Sequence, residues 1–175
     1  MKGDSLRKHP PSGWVDSIVI KLATMEEREW CASLMAGSDP WRTLGRTIEL
    51  CRPVCHDPEY QLYVAHLEDK PCGFILLHHR GVASSPYVAS IATDESFRGK
   101  GIGSRLLTFA EDLFRPNARH IFLCVSSFND RARKLYERVG YEVVGELKDY
   151  VIDGASEILM HKWLRHSCLV GRQYL

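Results

Sequence analysis

The sequence lacks long apolar runs and lacks an excess of charge of either sign. None of its apolar stretches approaches the roughly 18 residues that a membrane-spanning helix needs. Its 175 residues carry a formal net charge of +1, which argues against binding to nucleic acid or to an acidic membrane through bulk charge. Residues 1–13 have no apolar core of the kind found in signal peptides, so a cytoplasmic protein is expected.

The six cysteines do not form two ligand pairs with the spacing of a zinc site. Cys51, Cys55 and His56 lie close together in the sequence, but no second ligand pair accompanies them. Because a secretion signal is also absent, we expect reduced thiols that fill apolar space, and no bound metal.

A chain of this length fits one α/β (α+β) domain. We expect a partly flexible leader at residues 1–16, a folded domain at 17–165 and a short tail at 166–175. Residue patterns predict strands at 17–22, 60–67, 72–79, 87–93, 120–125, 141–152 and 156–164. Caps and helical periodicity predict helices at 24–36, 41–50, 102–114 and 129–139.

Three local features refine this prediction. Pro53 should close the helix that precedes it. Asp153-Gly154 should form a tight turn between the last two strands. The order strand, loop, helix, strand over residues 87–125 indicates a parallel crossover, within a mixed sheet that carries helices on its faces.

One glycine-rich segment stands between a predicted strand and the first turn of a predicted helix. This glycine loop reads Arg98-Gly99-Lys100-Gly101-Ile102-Gly103. Glycines let the backbone approach a ligand closely, and the first N–H groups of a helix attract anions. Arg98, Lys100 and Arg105 add positive charge. The loop therefore predicts a phosphate or pyrophosphate site.

Two common phosphate motifs do not fit the glycine loop. A P-loop requires a Gly-Lys-Ser/Thr end that is missing here, and a dinucleotide fingerprint requires Gly-x-Gly-x-x-Gly near the first strand. The Arg/Gln-x-x-Gly-x-Gly/Ala motif of the GNAT acetyltransferases matches at every defined position. The chain thus resembles the GNAT superfamily, over roughly residues 17–164.

A second segment supports the resemblance. The family pattern Asn-x-x-Ala-x-x-x-Tyr-x-x-x-Gly-Phe/Tyr is matched at Asn129, Ala132, Tyr136, Gly140 and Tyr141. Asn129 and Tyr136 are about two turns apart on one face of the predicted helix. Within the superfamily the chain is nearest in pattern to the ribosomal-protein alanine N-acetyltransferase-like subgroup.

The resemblance implies a mostly antiparallel, twisted sheet and acetyl-CoA as the acyl donor. It implies that the glycine loop and Ser104 hold the cofactor's pyrophosphate. It also implies that Ile91 and Thr93 contact the acyl-pantetheine arm through their backbone. Asn129 is then expected to bind the pantetheine amides, and Tyr136 to protonate the leaving thiolate.

The chain departs from that subgroup at one position. Its members carry a glutamate in the strand before the second motif, where this chain has Cys124. An ammonium acceptor must lose a proton before it attacks, so another base or a chain of waters is needed. The remaining candidates for the base are Glu157, Asp94, Glu95, His78 and His79.

The acceptor side is less constrained. Trp41 is a candidate apolar wall, and Tyr150 and Glu157 are candidate acceptor-site residues near the closing hairpin. The expected acceptor is a primary amine on a peptide or protein. A small-molecule amine and a non-catalytic acyl-CoA-binding module stay open as alternatives. We expect a monomer or homodimer without a nucleic-acid or membrane partner.

Overall fold

The computed structural model describes residues 17–164, so the predicted leader and tail lie outside the described residues. Between these limits the chain forms a single series of helices and strands. They are β1 (Val19–Leu22), α1 (Met25–Ala36), α2 (Ile48–His56), β2 (Tyr60–Leu67), β3 (Lys70–His78), β4 (Tyr87–Thr93), α3 (Ile102–Phe114), β5 (His120–Ser126), α4 (Asp130–Arg138), β6 (Glu142–Leu147) and β7 (Glu157–Trp163).

The strands form one 7-stranded sheet in the order β1-β2-β3-β4-β5-β7-β6. The neighbours pair antiparallel except β4 and β5, which run parallel and are joined by a crossover through α3. The predicted mixed, mostly antiparallel sheet with one central parallel crossover is therefore confirmed.

Helices cover both faces of the sheet, as predicted. Along β3, alternation of side chains sends Ile75 to one face and Phe74 to the other. Ile75 packs in a cluster with Leu106 of α3, whereas Phe74 packs in a second cluster with Cys31 of α1. The two cores fix α1 and α2 against one face and α3 and α4 against the opposite face.

The predicted helix at 41–50 is wrong. Residues 41–45 form turns, and α2 begins at Ile48 and continues past Pro53 to His56. Pro53 cannot donate a hydrogen bond to the carbonyl of the residue four positions earlier, which is why it predicts a helix end. The helix continues because Cys51 and Cys55 are buried against α1, with the Cys55 Sγ 3.5 Å from the Met35 Sδ.

A turn does form at the predicted Asp153-Gly154, where the Ala155 N–H donates to the Ile152 carbonyl at 3.3 Å, but it does not join the two closing strands directly. β6 ends at Leu147 and β7 begins at Glu157, so residues 148–156 form a longer connection. Asp149 lies at φ 49°, and its Oδ1 accepts a hydrogen bond from the Gly154 N–H at 2.7 Å. This side-chain contact closes the connection locally in place of strand pairing.

Candidate active site

The parallel strands β4 and β5 pair over a short length and then separate. Their register contains only the pairs Tyr87↔Phe122 and Val88↔Leu123. β4 remains paired with β3 as far as Thr93, and β5 with β7 as far as Ser126. The facing edges of residues 89–93 and 124–126 are thus left without a strand partner, so their backbone groups are available to a ligand.

The separation opens into a groove of about 940 Å³. Residues from β4, the glycine loop, α4, the α1–α2 connection and the start of β7 line it. Most of the predicted site residues meet there: Trp41, Ile91, Thr93, Arg98, Gly99, Gly101, Ile102, Gly103, Ser104, Asn129, Tyr136 and Glu157.

The glycine loop has the backbone that its sequence predicts. Gly99 and Gly101 have φ values of 79° and 81°, in the left-handed region that favours glycine. The Arg105 N–H donates to the Gly101 carbonyl at 3.0 Å, so the N–H groups of residues 102–104 precede the first helical hydrogen bond. The start of α3 can therefore receive a phosphate oxygen.

Gly103 serves the packing of two helices. A Cβ added there would lie 3.0 Å from Cδ2 of Leu135, on α4. The absence of a side chain thus lets the N-terminal end of α3 lie against the helix that carries Asn129 and Tyr136.

Asn129 and Tyr136 face the groove from the two ends of α4. The Asn129 side chain caps the helix by accepting from the Ala132 N–H at 3.2 Å. Tyr136 is only 6% exposed, and burial together with the nearby Glu157 carboxylate raises the pKa of its hydroxyl. The phenol therefore keeps its proton at neutral pH, as a proton donor must.

A second group of titratable side chains lies near Tyr136. Glu157 at the start of β7 accepts a hydrogen bond from the Ser126 hydroxyl at 2.5 Å. Burial raises the pKa of Glu157, and the Ser126 hydrogen bond partly opposes that rise. Burial also raises the pKa of the Cys124 thiol, which hydrogen-bonds with Tyr87.

Several predicted residues do not line the groove. Lys100 is not among the lining residues and lies over the Phe97 ring at 4.9 Å from its centroid. Tyr150 is 68% exposed and is likewise not a lining residue. The other candidate bases, Asp94, Glu95, His78 and His79, are also outside the lining, which leaves Glu157 as the candidate base that faces the groove.

Sequence reasoning missed Tyr87 and Ser126. Burial raises the pKa of Tyr87 strongly, and the neighbouring Cys124 and Glu157 contribute. Ser126 is 3% exposed and lies opposite Glu157 in the β5–β7 register. Neither belongs to a motif; the strand order that places them beside Glu157 is the signal, and it comes from the folded sheet.

Within residues 17–164, no group of three or more His, Cys, Asp or Glu side chains has the geometry to hold a metal ion. In the same range, no helix is long and apolar enough to cross a membrane.

Comparisons with known proteins agree with this geometry. Residues 22–141 match the acetyltransferase (GNAT) family. The chain is 30% identical over 159 residues to the N-alpha-acetyltransferase RimI of Mycobacterium tuberculosis, covering 84% of this chain and 93% of that protein. It is 31% identical over 119 residues to an N-alpha-acetyltransferase of Sulfolobus acidocaldarius, covering 60% and 71%.

Solved structures share the fold. Ard1 from Thermoplasma volcanium superposes with a TM-score of 0.70 at 21% identity, over 86% of this chain and 99% of that one. The aminoglycoside 6'-N-acetyltransferase from Enterococcus faecium gives 0.69 at 17% identity, with the same two coverages.

The chain belongs to the GNAT acetyltransferase family. It is an acyl-CoA-dependent N-acetyltransferase, and acetyl-CoA is its acyl donor.

Proposed function

We propose that this enzyme acetylates the α-amine of a peptide or protein. The observation that carries acetyl transfer at this site is that the separated edges of β4 and β5, the glycine loop and Tyr136 all line one groove. An extended acetyl-CoA molecule lying in this groove would reach from the phosphate-binding end of α3 to the protonated phenol of Tyr136. Holding donor and acceptor together in one groove supplies rate through proximity.

On the donor side, the proposed roles follow the groove. The glycine loop and Ser104 bind the pyrophosphate, and Asn129 contacts the pantetheine arm. Backbone groups of Ile91 and Thr93, on the β4 edge, hold the arm and the thioester carbonyl. Hydrogen bonds from backbone N–H groups to that carbonyl oxygen stabilise the tetrahedral intermediate.

At the reacting carbon, the acceptor nitrogen adds to the thioester carbonyl to give the tetrahedral intermediate. The intermediate then collapses as the carbon–sulfur bond breaks and the electron pair leaves with sulfur. Tyr136 donates its hydroxyl proton to that sulfur. The raised pKa of the Tyr136 hydroxyl supports this role because the group remains an acid until the thiolate appears.

On the acceptor side, we assign Trp41 as an apolar wall and Glu157 as a polar contact. The proposal of a peptide or protein amine rests on the relatives named N-alpha-acetyltransferases, one of which aligns over 93% of its length. The exposed Tyr150, which interacts electrostatically with Tyr87, is proposed to contact the acceptor chain beyond its first residue.

The test is release of the CoA thiol from acetyl-CoA with three acceptor classes. These are short peptides with free α-amines that begin with alanine, serine or glycine, Nα-blocked lysine, and kanamycin as a small polyamine. We expect turnover with at least one free-α-amine peptide and none with the same peptide after N-terminal blocking. Turnover with kanamycin alone would contradict the proposal in favour of a small-molecule acceptor. Acetyl-CoA binding without any turnover would favour a non-catalytic module.

A further inference from the structure

Glu157 lies at the end of the sheet that borders the groove. It is the first residue of β7 and pairs in register with Ser126, the last residue of β5. This is the end of the sheet at which β4 and β5 have separated, so the carboxylate lies at the groove. Its charge acts on the hydroxyl groups of Tyr136 from α4 and Tyr87 from β4.

The titratable neighbours of Glu157 all favour their protonated forms. Burial raises the pKa values of the Tyr87 hydroxyl, the Cys124 thiol and the Tyr136 hydroxyl. At neutral pH none of the three accepts a proton readily. Basic side chains of α4 also line the groove (Arg131, Lys134 and Arg138), but the pKa of Glu157 responds to burial first and to Ser126 second.

The groove has a second carboxylate that is less suited to accept a proton. Among the described residues, Asp39 is the other carboxylate in its lining. Hydrogen bonds from Thr43 and Arg42 lower the pKa of Asp39, so it is a weak base. A general base acts best when its pKa lies near the working pH, which favours the half-buried Glu157.

We propose that Glu157 is the general base of the transfer and that Ser126 positions its carboxylate, an inference that rests on the proposed acetyl transfer to an amine. The base comes from β7, opposite Ser126, which lies two residues along β5 from Cys124, the position where the resembling subgroup carries its glutamate. The loss of a carboxylate from β5 is thereby compensated from β7, its hydrogen-bonded neighbour.

The acceptor ammonium gives one proton to the Glu157 carboxylate, and the freed nitrogen pair forms the bond to the acetyl carbon. The carbon–sulfur bond breaks, sulfur takes that electron pair, and Tyr136 protonates it. The second nitrogen proton returns to the Tyr136 oxygen through solvent, and Glu157 releases its proton to water. The net products are an amide, the CoA thiol and one proton.

The test compares Glu157→Gln with wild type, using the α-amine peptide that gives the highest CoA release. At pH 7 we expect kcat to fall about 100-fold, within the range that general bases contribute. Activity of the variant should recover as pH rises past about 8, because the peptide α-amine then loses its proton without help. The Kd for acetyl-CoA should not change. Glu146→Gln, an exposed glutamate on the neighbouring β6, is the matched control and should behave as wild type.

Ser126→Ala provides a second measurement with a predicted direction. It remains informative even if the Glu157→Gln protein does not fold. Removing the hydroxyl donor destabilises the carboxylate, so the pKa of Glu157 should rise. The acid limb of kcat against pH should therefore move upward, by about one pH unit. A purely structural role for Ser126 would lower the rate without moving this limb.

Two results would overturn the assignment. One is a Glu157→Gln enzyme with the wild-type rate at pH 7; the other is an active Ser126→Ala enzyme whose acid limb has not moved. Failure of the proposed function itself is seen separately, because it appears as an absence of CoA release in the wild-type enzyme.

Discussion

Tyr136 shows how one residue's surroundings select its chemistry. Its ring lies 6.1 Å from that of Tyr141, between centroids, and the side chain is almost completely buried. Burial disfavours the phenolate, and the nearby Glu157 carboxylate disfavours it further. The same environment that packs the ring therefore keeps the hydroxyl in its acid form.

Replacing Tyr136 by phenylalanine should lower kcat about 100-fold, since general acids contribute rate on this scale. The Kd for acetyl-CoA should stay within about twofold, because the ring that packs is retained. Steady-state kinetics and calorimetric titration measure the two quantities. Tyr63→Phe is the control. The Tyr63 hydroxyl donates to the Gln61 side chain at 3.0 Å, outside the groove, and removing that hydroxyl should change neither kcat nor the Kd for acetyl-CoA. An unchanged kcat in Tyr136→Phe would remove the proposed acid.

Gly101 is a residue whose backbone, not its side chain, is needed. Its φ of 81° is strained for a β-branched residue, by about 1–2 kcal/mol. Gly101→Val should relax the loop away from the anion site and raise the Kd for CoA at least tenfold. Gly154→Val carries comparable strain at φ 77° in the β6–β7 connection, with open space around it. The Gly154→Val protein should bind CoA with the wild-type Kd in calorimetry. An equal loss of CoA affinity in both variants would indicate a general folding defect instead.

Residue patterns predicted the local geometry of the glycine loop and of α4 better than they predicted which residues neighbouring strands bring to the groove. Gly101 and Asn129 act through local backbone and capping geometry, which short motifs encode. Tyr87 and Ser126 reach the groove only because β4, β5 and β7 become neighbours. Lys100 fits the charge pattern of an anion site, yet it is not a lining residue of the groove, and its ammonium lies over the ring of Phe97.

At the scale of elements, local signals predicted where the helices and strands lie better than where each one ends. Thr24 and Glu27 form the capping box that begins α1 where the sequence predicts it. Pro53 failed as an end signal because burial of two cysteines outweighs one missing donor. After β6 ends at Leu147, the Asp149 carboxylate accepts from the Gly154 N–H within the same connection, a contact that no short residue pattern predicts.

β3 lies close to both β4 and α3 because of one glycine. A Cβ on Gly73 would lie 2.8 Å from the Ala92 carbonyl oxygen and 3.0 Å from Cγ2 of Ile102. The added Cβ of Gly73→Ala must push the β4 backbone or α3 away. Overpacking of this kind typically costs about 1–3 kcal/mol of folding free energy. The melting temperature should therefore fall by roughly 2–4 °C for each kcal/mol. Gly145→Ala on β6, where an added Cβ meets nothing within 4 Å, is the control. Thermal unfolding that is equal for both variants would contradict this packing.

At the scale of the whole molecule, the sheet consists of two parts with a weak seam. β1–β4 and β5–β7 are each joined by longer antiparallel ladders, whereas the seam between them has two register pairs. The proposed donor site draws on both parts, with the glycine loop following β4 and Asn129 following β5. A bound donor would therefore bridge the seam.

Acetyl-CoA should accordingly stabilise the whole fold. At 100 times its Kd, a ligand that binds only the native state adds about 2.7 kcal/mol, which for a chain of this size corresponds to a rise of roughly 5–10 °C in Tm. Hydrogen exchange should slow on both sides of the seam, at residues 89–93 and at 124–129, because the proposed donor lies along the β4 edge and reaches Asn129, which follows β5. Gly101→Val at the same acetyl-CoA concentration should show a smaller shift, in proportion to its weaker binding. Protection confined to β4 would mean that the donor does not reach α4, and the role of Asn129 would then be wrong.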